Sequence, residues 1–167
     1  MEFTEAKNKF VQTWGALGSQ WGINKTMAQI HALLMVSNEP LSMEDIMEEL
    51  QISRGNASMN IRALIDWGIV YKEFKHGERR EFFTAEKDLD ELAIKIAKER
   101  SKREIKPALK VLKEVSTDID TKTTEGKYFA EQTEKLYEFV LKTDNIIEKA
   151  TEYKDNWLTK LLMKMMK

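Results

Sequence analysis

Residues 52–70 read ISRGNASMNIRALIDWGIV, and this stretch is the most informative one about the fold. Ser53 is a residue type that caps the start of a helix, and Gly68 suits the left-handed conformation that ends one. Between them, apolar side chains recur at helical spacing, at Ala57, Ile61, Leu64 and Ile65. The pattern therefore predicts a short helix whose apolar side anchors it to a core.

The other side of this helix carries different residue types. At about 100° of rotation per residue, the sector opposite the anchor contains Gly55, Asn56, Met59, Arg62 and Ala63, with Arg54 and Ser58 at its margin. Asn can pair with adenine edges, Arg can pair with guanine, and an apolar tip can contact a thymine methyl group. The same types also occur on ordinary solvent-exposed faces, so this helix alone fits either interpretation.

The segments before this helix are also helical in pattern. Residues 41–50, LSMEDIMEEL, predict a short helix in which Ser42 and Asp45 approximate a capping box. A helix from about Lys25 to Ser37 precedes it and stops before Pro40. A first helix is predicted over residues 3–17, with Gly18 or Gly22 as its terminator.

The segment after the helix changes to a β pattern. IVYKEF (69–74) and REFFT (80–84) flank KHGE (75–78), which predicts a two-stranded hairpin. Lys75, Arg79 and Arg80 place positive charge around it, as a contact with DNA phosphates requires. Two short helices, a tight turn and a hairpin are the order of a winged helix-turn-helix. This order favours a DNA-reading face over a merely solvated one.

The C-terminal half is predicted to be helical. One helix should run from about Glu86 to Val115, kinked by Pro107, and STDIDTKTTEGK (116–127) is the predicted linker. Two more helices are predicted at 128–141 and 145–166. The basic run at 95–114 is interpreted as a solvated helix face rather than a binding patch.

An apolar stripe with neighbouring lysines occurs in the last predicted helix. The stripe is Leu158, Leu161, Leu162 and Met165, and the lysines are Lys160, Lys164 and Lys167. A helix of this kind can lie on an anionic membrane or form a dimer seam. Dimer packing is favoured, because a winged helix with unpaired apolar terminal helices needs a partner.

Composition bounds the remaining possibilities. The 167 residues carry a formal net charge of −1, with 42% hydrophobic and 33% charged residues, which is typical of a mainly α protein. There is no cysteine, only two histidines and no glycine-rich phosphate loop, so we expect no enzyme activity, no metal site and no cofactor. Without a signal peptide or a long apolar run, we expect a cytoplasmic protein with no membrane partner.

The helix-turn-helix and hairpin segments resemble a known protein family. Residues 21–37, WGINKTMAQIHALLMVS, and 39–83, EPLSMEDIMEELQISRGNASMNIRALIDWGIVYKEFKHGERREFF, resemble the DNA-binding region of MarR-type winged-helix regulators, in particular the GbsR-like branch. The resemblance covers roughly residues 1–90. It implies DNA contacts from Arg54, Asn56, Ser58, Met59 and Arg62 in the helix and from Lys75, Arg79 and Arg80 in the wing. It also implies that N- and C-terminal helices build a homodimer.

The predicted organisation follows from this resemblance. Residues 1–22 are assigned to an N-terminal dimerisation helix, 23–85 to a winged helix-turn-helix, and 86–167 to a helical dimerisation region. The predicted function is that of a homodimeric transcriptional regulator, expected to be a repressor, that binds specific sequences of double-stranded DNA. The alternative is a winged-helix module that binds another protein instead of DNA.

The resemblance further implies a small-molecule effector in the characterised branch, such as choline or glycine betaine. Quaternary ammonium groups bind in aromatic cages, and Trp14, Trp21, Trp67 and Tyr71 are the candidates for one, with Phe10 beside them. Ordinary core packing is the favoured interpretation of these aromatic residues. Membership in the branch does not fix the effector.

Overall fold

The computed structural model describes residues 1–152, which form helices and one small sheet. In chain order the elements are α1 (Phe3–Gln20), α2 (Lys25–Val36), β1 (Leu41–Ser42), α3 (Met43–Leu50), α4 (Arg54–Asp66), β2 (Val70–Phe74), β3 (Glu81–Ala85), α5 (Leu89–Arg100), a π-helical segment (Ser101–Ile105), α6 (Lys106–Asp118) and α7 (Thr124–Glu152). The chain divides into two compact units, Met1–Leu92 and a second that begins at Ala93. The predicted segments 1–22 and 23–85 both fall in the first unit.

The sheet contains the predicted hairpin and one strand more. Its order is β1-β3-β2, and both pairings are antiparallel, with Leu41 opposite Phe83 and Val70 opposite Ala85. The prediction of a two-stranded ribbon was therefore incomplete. Strand β1 has only two residues, too few to show the alternating pattern by which a strand is recognised in sequence.

The core of the first unit is built on α2. Every residue from Met27 to Leu34 is buried, and α4 contributes Ala57, Ile61 and Leu64, as the sequence predicted. Ile65, the fourth predicted anchor, is only half-buried. The core is completed by side chains from the other elements of the unit, among them Val11, Ile46, Val70 and Phe83.

Helix α1 approaches α2 closely at a glycine. A Cβ atom on Gly18 would lie 2.5 Å from the Cβ of Ala28, so the two backbones could not come this near with a larger residue there. Gly18 therefore lies inside the helix and does not end it. Of the two predicted terminators, Gly22 has this role, with a φ of +77° just after the helix.

Helices α3 and α4 begin as predicted. The Asp45 amide donates to the Ser42 hydroxyl at 3.2 Å, and the Ser42 amide donates to the Asp45 carboxylate at 2.8 Å, which completes a capping box. Hydrogen bonds from the hydroxyl and amide of Ser42 lower the pKa of the Asp45 carboxyl. At the start of α4, the Ser53 hydroxyl accepts from the Asn56 amide at 3.3 Å. Three residues join the helices, the tight turn of a helix-turn-helix.

The second unit contains a long helix that Pro107 modifies but does not interrupt. Pro107 lies in the first turn of α6, directly after the π-helical segment, where the Lys106 amide donates to the Ser101 carbonyl. Proline lacks an amide hydrogen and its ring collides with the carbonyl four residues earlier, so a wider turn relieves the collision. The predicted kink thus corresponds to a local change of helix type.

Two predictions for this unit were wrong. Helix α6 extends to Asp118 and α7 begins at Thr124, so the break is shorter than the predicted linker at 116–127. The predicted gap at 142–144 does not exist, because α7 is continuous from Thr124 to Glu152. Polar residues cost only tenths of a kcal/mol relative to Ala in a helix, roughly 0.7 at most. Unlike Gly and Pro, they therefore do not break it. The stripe at 158–165 and its lysines lie outside the described residues.

Burial in the second unit is polar. The described residues from Ala93 onward include no buried hydrophobic side chain, whereas Ser101, Thr133 and Asp144 are buried. The Ser101 hydroxyl donates to the Asp144 carboxylate, which ties the π-helical segment to α7. Large apolar side chains such as Ile105, Leu109 and Leu112 are half-buried, and others are exposed, at Val111, Ile119, Tyr128, Phe129, Leu136, Phe139 and Ile146. In the described part of the chain, none of the helices is long and apolar enough to span a membrane.

Candidate nucleic-acid interface

Helix α4 presents one exposed face between two margins. Gly55, Met59, Arg62 and Asp66 are exposed along the face, and Met59 is 62% exposed. One margin borders α2 and carries Asn56, while the other borders α3 and the hairpin and carries Arg54 and Ser58. Asp66 is the only acidic residue of the helix and lies at its C-terminal end. The N-terminal part of the face is therefore the part suited to an anionic ligand.

The margin toward α2 is held by a hydrogen-bond network. The Asn60 side-chain amide donates to the side-chain oxygen of Asn56 at 2.7 Å and to its backbone carbonyl at 2.9 Å. The side-chain amide of Asn56 donates to the Thr26 hydroxyl of α2 at 3.5 Å. Both polar atoms of the Asn56 side chain are thus engaged within the protein. This geometry favours a positioning role for Asn56 over the predicted reading of an adenine edge.

Asn60 itself was missed by the sequence reasoning. Its side chain is 3% exposed, and it lies on the buried side of α4 next to Ala57 and Leu64. A polar residue at the edge of an otherwise apolar stripe was the available signal. Its amide is satisfied by Asn56, as a buried polar group requires.

The margin toward α3 and the hairpin is more open. The Arg54 guanidinium lies 3.1 Å from the Glu44 carboxylate of α3, and both side chains are more than half exposed. Ser58 and Arg62 border a cleft of ≈ 260 Å³ between α4 and the sheet. The remaining lining residues are Met43, Ile61, Ile65, Lys72, Glu81 and Phe83. The structure thus places Lys72, which was not among the predicted contacts, beside two that were.

The two faces of the hairpin differ in charge and position. Lys72 pairs directly with Phe83 in the sheet, and Glu81 lies two residues from Phe83, so these three side chains share the face that looks toward α4. Lys75 and Arg80 contact the ring of Phe82 on the opposite face, at 4.4 and 5.6 Å from its centroid. The predicted wing cations therefore do not all face the recognition helix.

The predicted basic contacts also differ in their ion pairs. Arg80 is paired with Glu78 at 3.2 Å, and Arg54 with Glu44. Within residues 1–150, Arg62 and Arg79 have no carboxylate within 4 Å. An exposed ion pair contributes little to stability, but its carboxylate lowers the local positive potential. Arg62 and Arg79, together with Lys75 on the Phe82 ring, are therefore the predicted contacts whose charge no carboxylate in this range neutralises.

The four predicted effector residues differ in their surroundings. Trp14 lies between Phe10 and Trp21, tilted against the first ring and edge-on to the second, with ring centroids 5.4 and 6.5 Å apart, and Trp14 and Trp21 are 37% and 53% exposed. Core packing, the favoured interpretation, is therefore wrong for these two. The Tyr71 hydroxyl donates to Glu86 at 2.6 Å, and Trp67 is half-buried at the end of α4. None of the four lines the cleft beside α4.

A second cleft, of ≈ 590 Å³, lies between α1 and α3 and has the opposite charge. Asp45, Glu48 and Glu49 line it, with Lys7 bonded to Glu49 at 2.6 Å. Its acidic rim does not suit a nucleic acid. No group of three or more His, Asp or Glu side chains in the described chain has the arrangement of a metal site.

The scaffold behind the interface contains a buried histidine close to an exposed lysine. His31 of α2 is 5% exposed, and burial together with the nearby Lys87 lowers its pKa to about 4. The Lys87 ammonium donates to the carbonyls of Leu34, Met35 and Ser37 at 2.6, 2.8 and 2.9 Å. Lys87 thus caps the C-terminal end of α2 and ties it to the chain that leaves β3.

Comparison with known proteins gives a family match in the region just described. The family model described as MarR family matches residues 21–81. The HTH-type transcriptional repressor GbsR of Bacillus subtilis (strain 168) is 25% identical over 99 residues, which are 59% of this chain and 54% of that protein. The chain thus spans about half of the length of this curated relative. The predicted resemblance is confirmed in this region.

One solved structure agrees on the fold over most of the chain. A protein described as a transcriptional regulator superposes with a TM-score of 0.68 at 17% identity, over 90% of this chain and 99% of that one. At this identity the likeness concerns the fold alone. A mutant of S. aureus MepR bound to an oligodeoxyribonucleotide is 15% identical over 98% of this chain and 92% of that one, at a TM-score of 0.39, too low to compare the folds in detail.

Proposed function

We propose that this chain is a transcriptional regulator that binds specific sequences of double-stranded DNA as a homodimer, because residues 21–81 match the MarR family. The observation that carries the proposal is the exposed face of α4. Arg62 lies there without a carboxylate partner in the described residues, next to Ser58, Met59 and a hairpin with further cations. A helix with these side chains, preceded by a short capped helix, is the reading element of a winged helix-turn-helix.

In the proposed complex, the N-terminal part of α4 enters the major groove. Arg62 pairs with a guanine edge, Met59 contacts a thymine methyl group, and Ser58 bonds to a base or phosphate. Asp66 limits the depth to which the helix enters, because its carboxylate repels phosphates. Asn56 holds the helix against α2 and adds a base contact only if it leaves Thr26 and Asn60.

The wing provides contacts that do not depend on base sequence. Arg79 is exposed and has no ion pair in residues 1–150, so it is the wing residue that we assign to the phosphate backbone. Lys75 and Arg80, held on the ring of Phe82, add positive charge on the outer face of the hairpin. Arg54 contributes less, since Glu44 neutralises it.

The homodimer is supported by the exposed apolar side chains of α6 and α7. A helical unit whose described residues bury no hydrophobic side chain lacks a core of its own, and a second copy would supply one. A two-fold dimer would present two α4 helices about 34 Å apart, one turn of DNA. We therefore propose a pseudo-palindromic operator, at which the protein acts as a repressor in the cytoplasm.

A small-molecule effector is a separate part of the proposal. The exposed aromatic group of Phe10, Trp14 and Trp21 is the surface that we propose for a quaternary ammonium compound, since aromatic faces attract such cations. Titration of the protein with choline or glycine betaine, followed by tryptophan fluorescence, tests it. A Trp14→Ala variant that responds as the wild type does would contradict this assignment.

The main experiment measures DNA binding as a function of salt. Fragments upstream of the gene itself are labelled and titrated with the full-length protein between 50 and 200 mM salt, and affinity should fall by a factor on the order of 10³ or more if six or more phosphates are contacted. Arg79→Ala should weaken binding to all sequences, whereas Arg62→Ala should also reduce the preference for the operator by about 1–3 kcal/mol. Lys135→Ala, on α7, is the control.

Two results would overturn the proposal. Absence of binding to any duplex would favour a winged-helix module that contacts another protein. Binding that does not change with salt would show that phosphates are not the partners of Arg79 and the other wing cations. Circular dichroism of each variant separates loss of binding from loss of folding.

A further inference from the structure

We propose that the cleft between α4 and the hairpin is a binding site for a backbone phosphate of DNA, with Lys72 as its cation. The same proposal makes Glu81 a competing carboxylate that the phosphate displaces from Lys72. The inference rests on the proposed function and adds two residues to it. Neither was predicted to contact DNA from the sequence.

The cleft brings hydrogen-bond donors from α4 and from the hairpin together. Ser58 and Arg62 of α4 form one wall, and Lys72 and Glu81 of the hairpin form the other. Ser58 offers a hydroxyl donor and Lys72 a charged donor, while Arg62, which pairs with a base in the proposed complex, adds positive potential. A phosphate that entered between the walls would meet donors from both elements at once, and it would fix the wing relative to the recognition helix.

The floor of the cleft is rigid and apolar. Ile61 and Phe83 are 2% and 1% exposed, and Met43 and Ile65 complete the floor. Strand register holds Lys72 in place, because it lies directly opposite Phe83 in the antiparallel pair. An apolar floor lowers the local dielectric constant, which strengthens the attraction between a phosphate and the cations on the rim.

One cation on the rim of the cleft is paired with a carboxylate. The Lys72 ammonium lies 2.8 Å from the Glu81 carboxylate, and the side chains are 44% and 46% exposed. Such an exposed pair is weak and can rearrange. Without DNA, Glu81 neutralises Lys72. A phosphate held by the Ser58 hydroxyl would compete with Glu81 for Lys72, and Glu81 would turn to solvent.

The hairpin has a second face, which provides the contrast. Lys75, Arg80 and Glu78 belong to the tip and outer face, where the two cations contact the ring of Phe82. Removal of the Glu78 charge should therefore alter DNA binding less than removal of the Glu81 charge, although both glutamates accept an ion pair. This difference depends on the cleft and not on net charge.

The test uses full-length protein and a labelled operator duplex, with affinity measured at several salt concentrations. Lys72→Ala should weaken binding and reduce the salt slope by about 1, the effect of one lost phosphate contact. Glu81→Gln should tighten binding several-fold, Glu78→Gln should tighten it less, and Lys72→Arg should keep the slope. In the double variant Lys72→Ala with Glu81→Gln, most of the gain from Glu81→Gln should disappear, because the released cation is absent.

The outcomes separate this inference from the proposed function. If the wild type binds in a salt-dependent way and Arg62→Ala weakens binding, while Lys72→Ala and Glu81→Gln change neither affinity nor slope, the phosphate site is overturned and the DNA-binding function stands. If Glu78→Gln and Glu81→Gln act equally, a general charge effect replaces the site. If the wild type binds no duplex, the proposed function fails, and the inference fails with it. A matched ion pair on α7, tested as Lys135→Ala, should change nothing.

Discussion

The two units of the chain bury different kinds of side chain. In Met1–Leu92, the helices and the sheet enclose a hydrophobic core that includes Leu33, Leu64 and Phe83, each 1% exposed. In the described residues of the second unit, the buried side chains are polar, whereas Leu136, Phe139 and Ile146 are each more than half exposed. One unit has a core within a single chain, and the other presents an apolar surface.

This difference indicates which part of the molecule depends on association with another protein chain. A domain with its own core can fold alone, whereas an exposed apolar stripe on a long helix indicates a surface that another protein covers. On α7 the stripe consists of Phe129, Leu136, Phe139 and Ile146, spaced by three and seven residues, the spacing of a helical seam. Variants of each unit can test this difference.

The largest effect is expected from charges in the α7 stripe. Leu136→Glu combined with Phe139→Glu should convert a dimer into a monomer, because two glutamates per chain cannot be buried unpaired. Affinity for an operator with two half-sites should fall by about 10²-fold or more, the usual effect of lost bivalency. Sedimentation velocity and DNA titration provide the measurements. Glu134→Lys, on the other side of α7, is the control, and a monomeric wild type would refute the prediction.

A truncation in the first unit should act on folding alone. Leu64→Ala removes a side chain that is 1% exposed in the core beneath α4, and should lower the free energy of unfolding by about 2–5 kcal/mol. The loss should not depend on protein concentration. Leu136→Ala is the matched truncation in α7, and its effect should depend on concentration, since it acts through the dimer. Urea unfolding at two protein concentrations distinguishes the variants. If the stability loss of both variants depended on protein concentration in the same way, the proposed difference between the units would be wrong.

The buried histidine should make the first unit sensitive to acid. The pKa of His31 falls from 6.5 in the unfolded chain to about 4 in the fold, so the stability is fully present above pH 6.5. It should fall by about 3 kcal/mol between pH 6.5 and 4, because only the unfolded chain takes up the proton in that range. Unfolding of the wild type and of His31→Leu as a function of pH tests this. A pH dependence of equal size in the variant would contradict the prediction.

The smallest of the four effects is expected from Lys87. Lys87→Met keeps the length of the side chain but removes its three hydrogen bonds to the end of α2, and should cost about 1–2 kcal/mol. The variant should also raise the pKa of His31, because a neighbouring positive charge has been removed. Thermal unfolding and NMR titration of the His31 ring measure these effects. An unchanged His31 pKa would show that burial alone lowers it.

Local structure in the first unit was predictable because its signals are short-range. The capping box of Ser42 and Asp45, the N-cap Ser53 and the glycines at 68 and 77 all lie where the backbone requires them, with φ of +71° and +82° at the two glycines. Each signal depends on residues within one turn. The hydrophobic periodicity of α4 likewise predicted that Ala57, Ile61 and Leu64 face the core.

The features that were missed depend on partners far away in sequence. Strand β1 exists because it pairs with β3, and Asn56, which accepts from the buried Asn60 within α4, is itself bonded to Thr26 of α2, thirty residues away. The predicted break in α7 failed for the opposite reason, since Asp144, which looked like a polar interruption, is buried against Ser101. The residues on either side of Asp144 in the sequence give no sign that it is buried.

Most elements of the first unit and their order were predictable from the sequence, because caps, turns and hydrophobic period depend on neighbouring residues. The arrangement of the interface depends on the tertiary structure. It placed Lys72 beside Arg62, directed Lys75 and Arg80 to the other face of the hairpin, and engaged Asn56 with Thr26. The physical reason is that charge and hydrogen bonding act through space, and strand register and helix packing set the distances between residues that are remote in the chain.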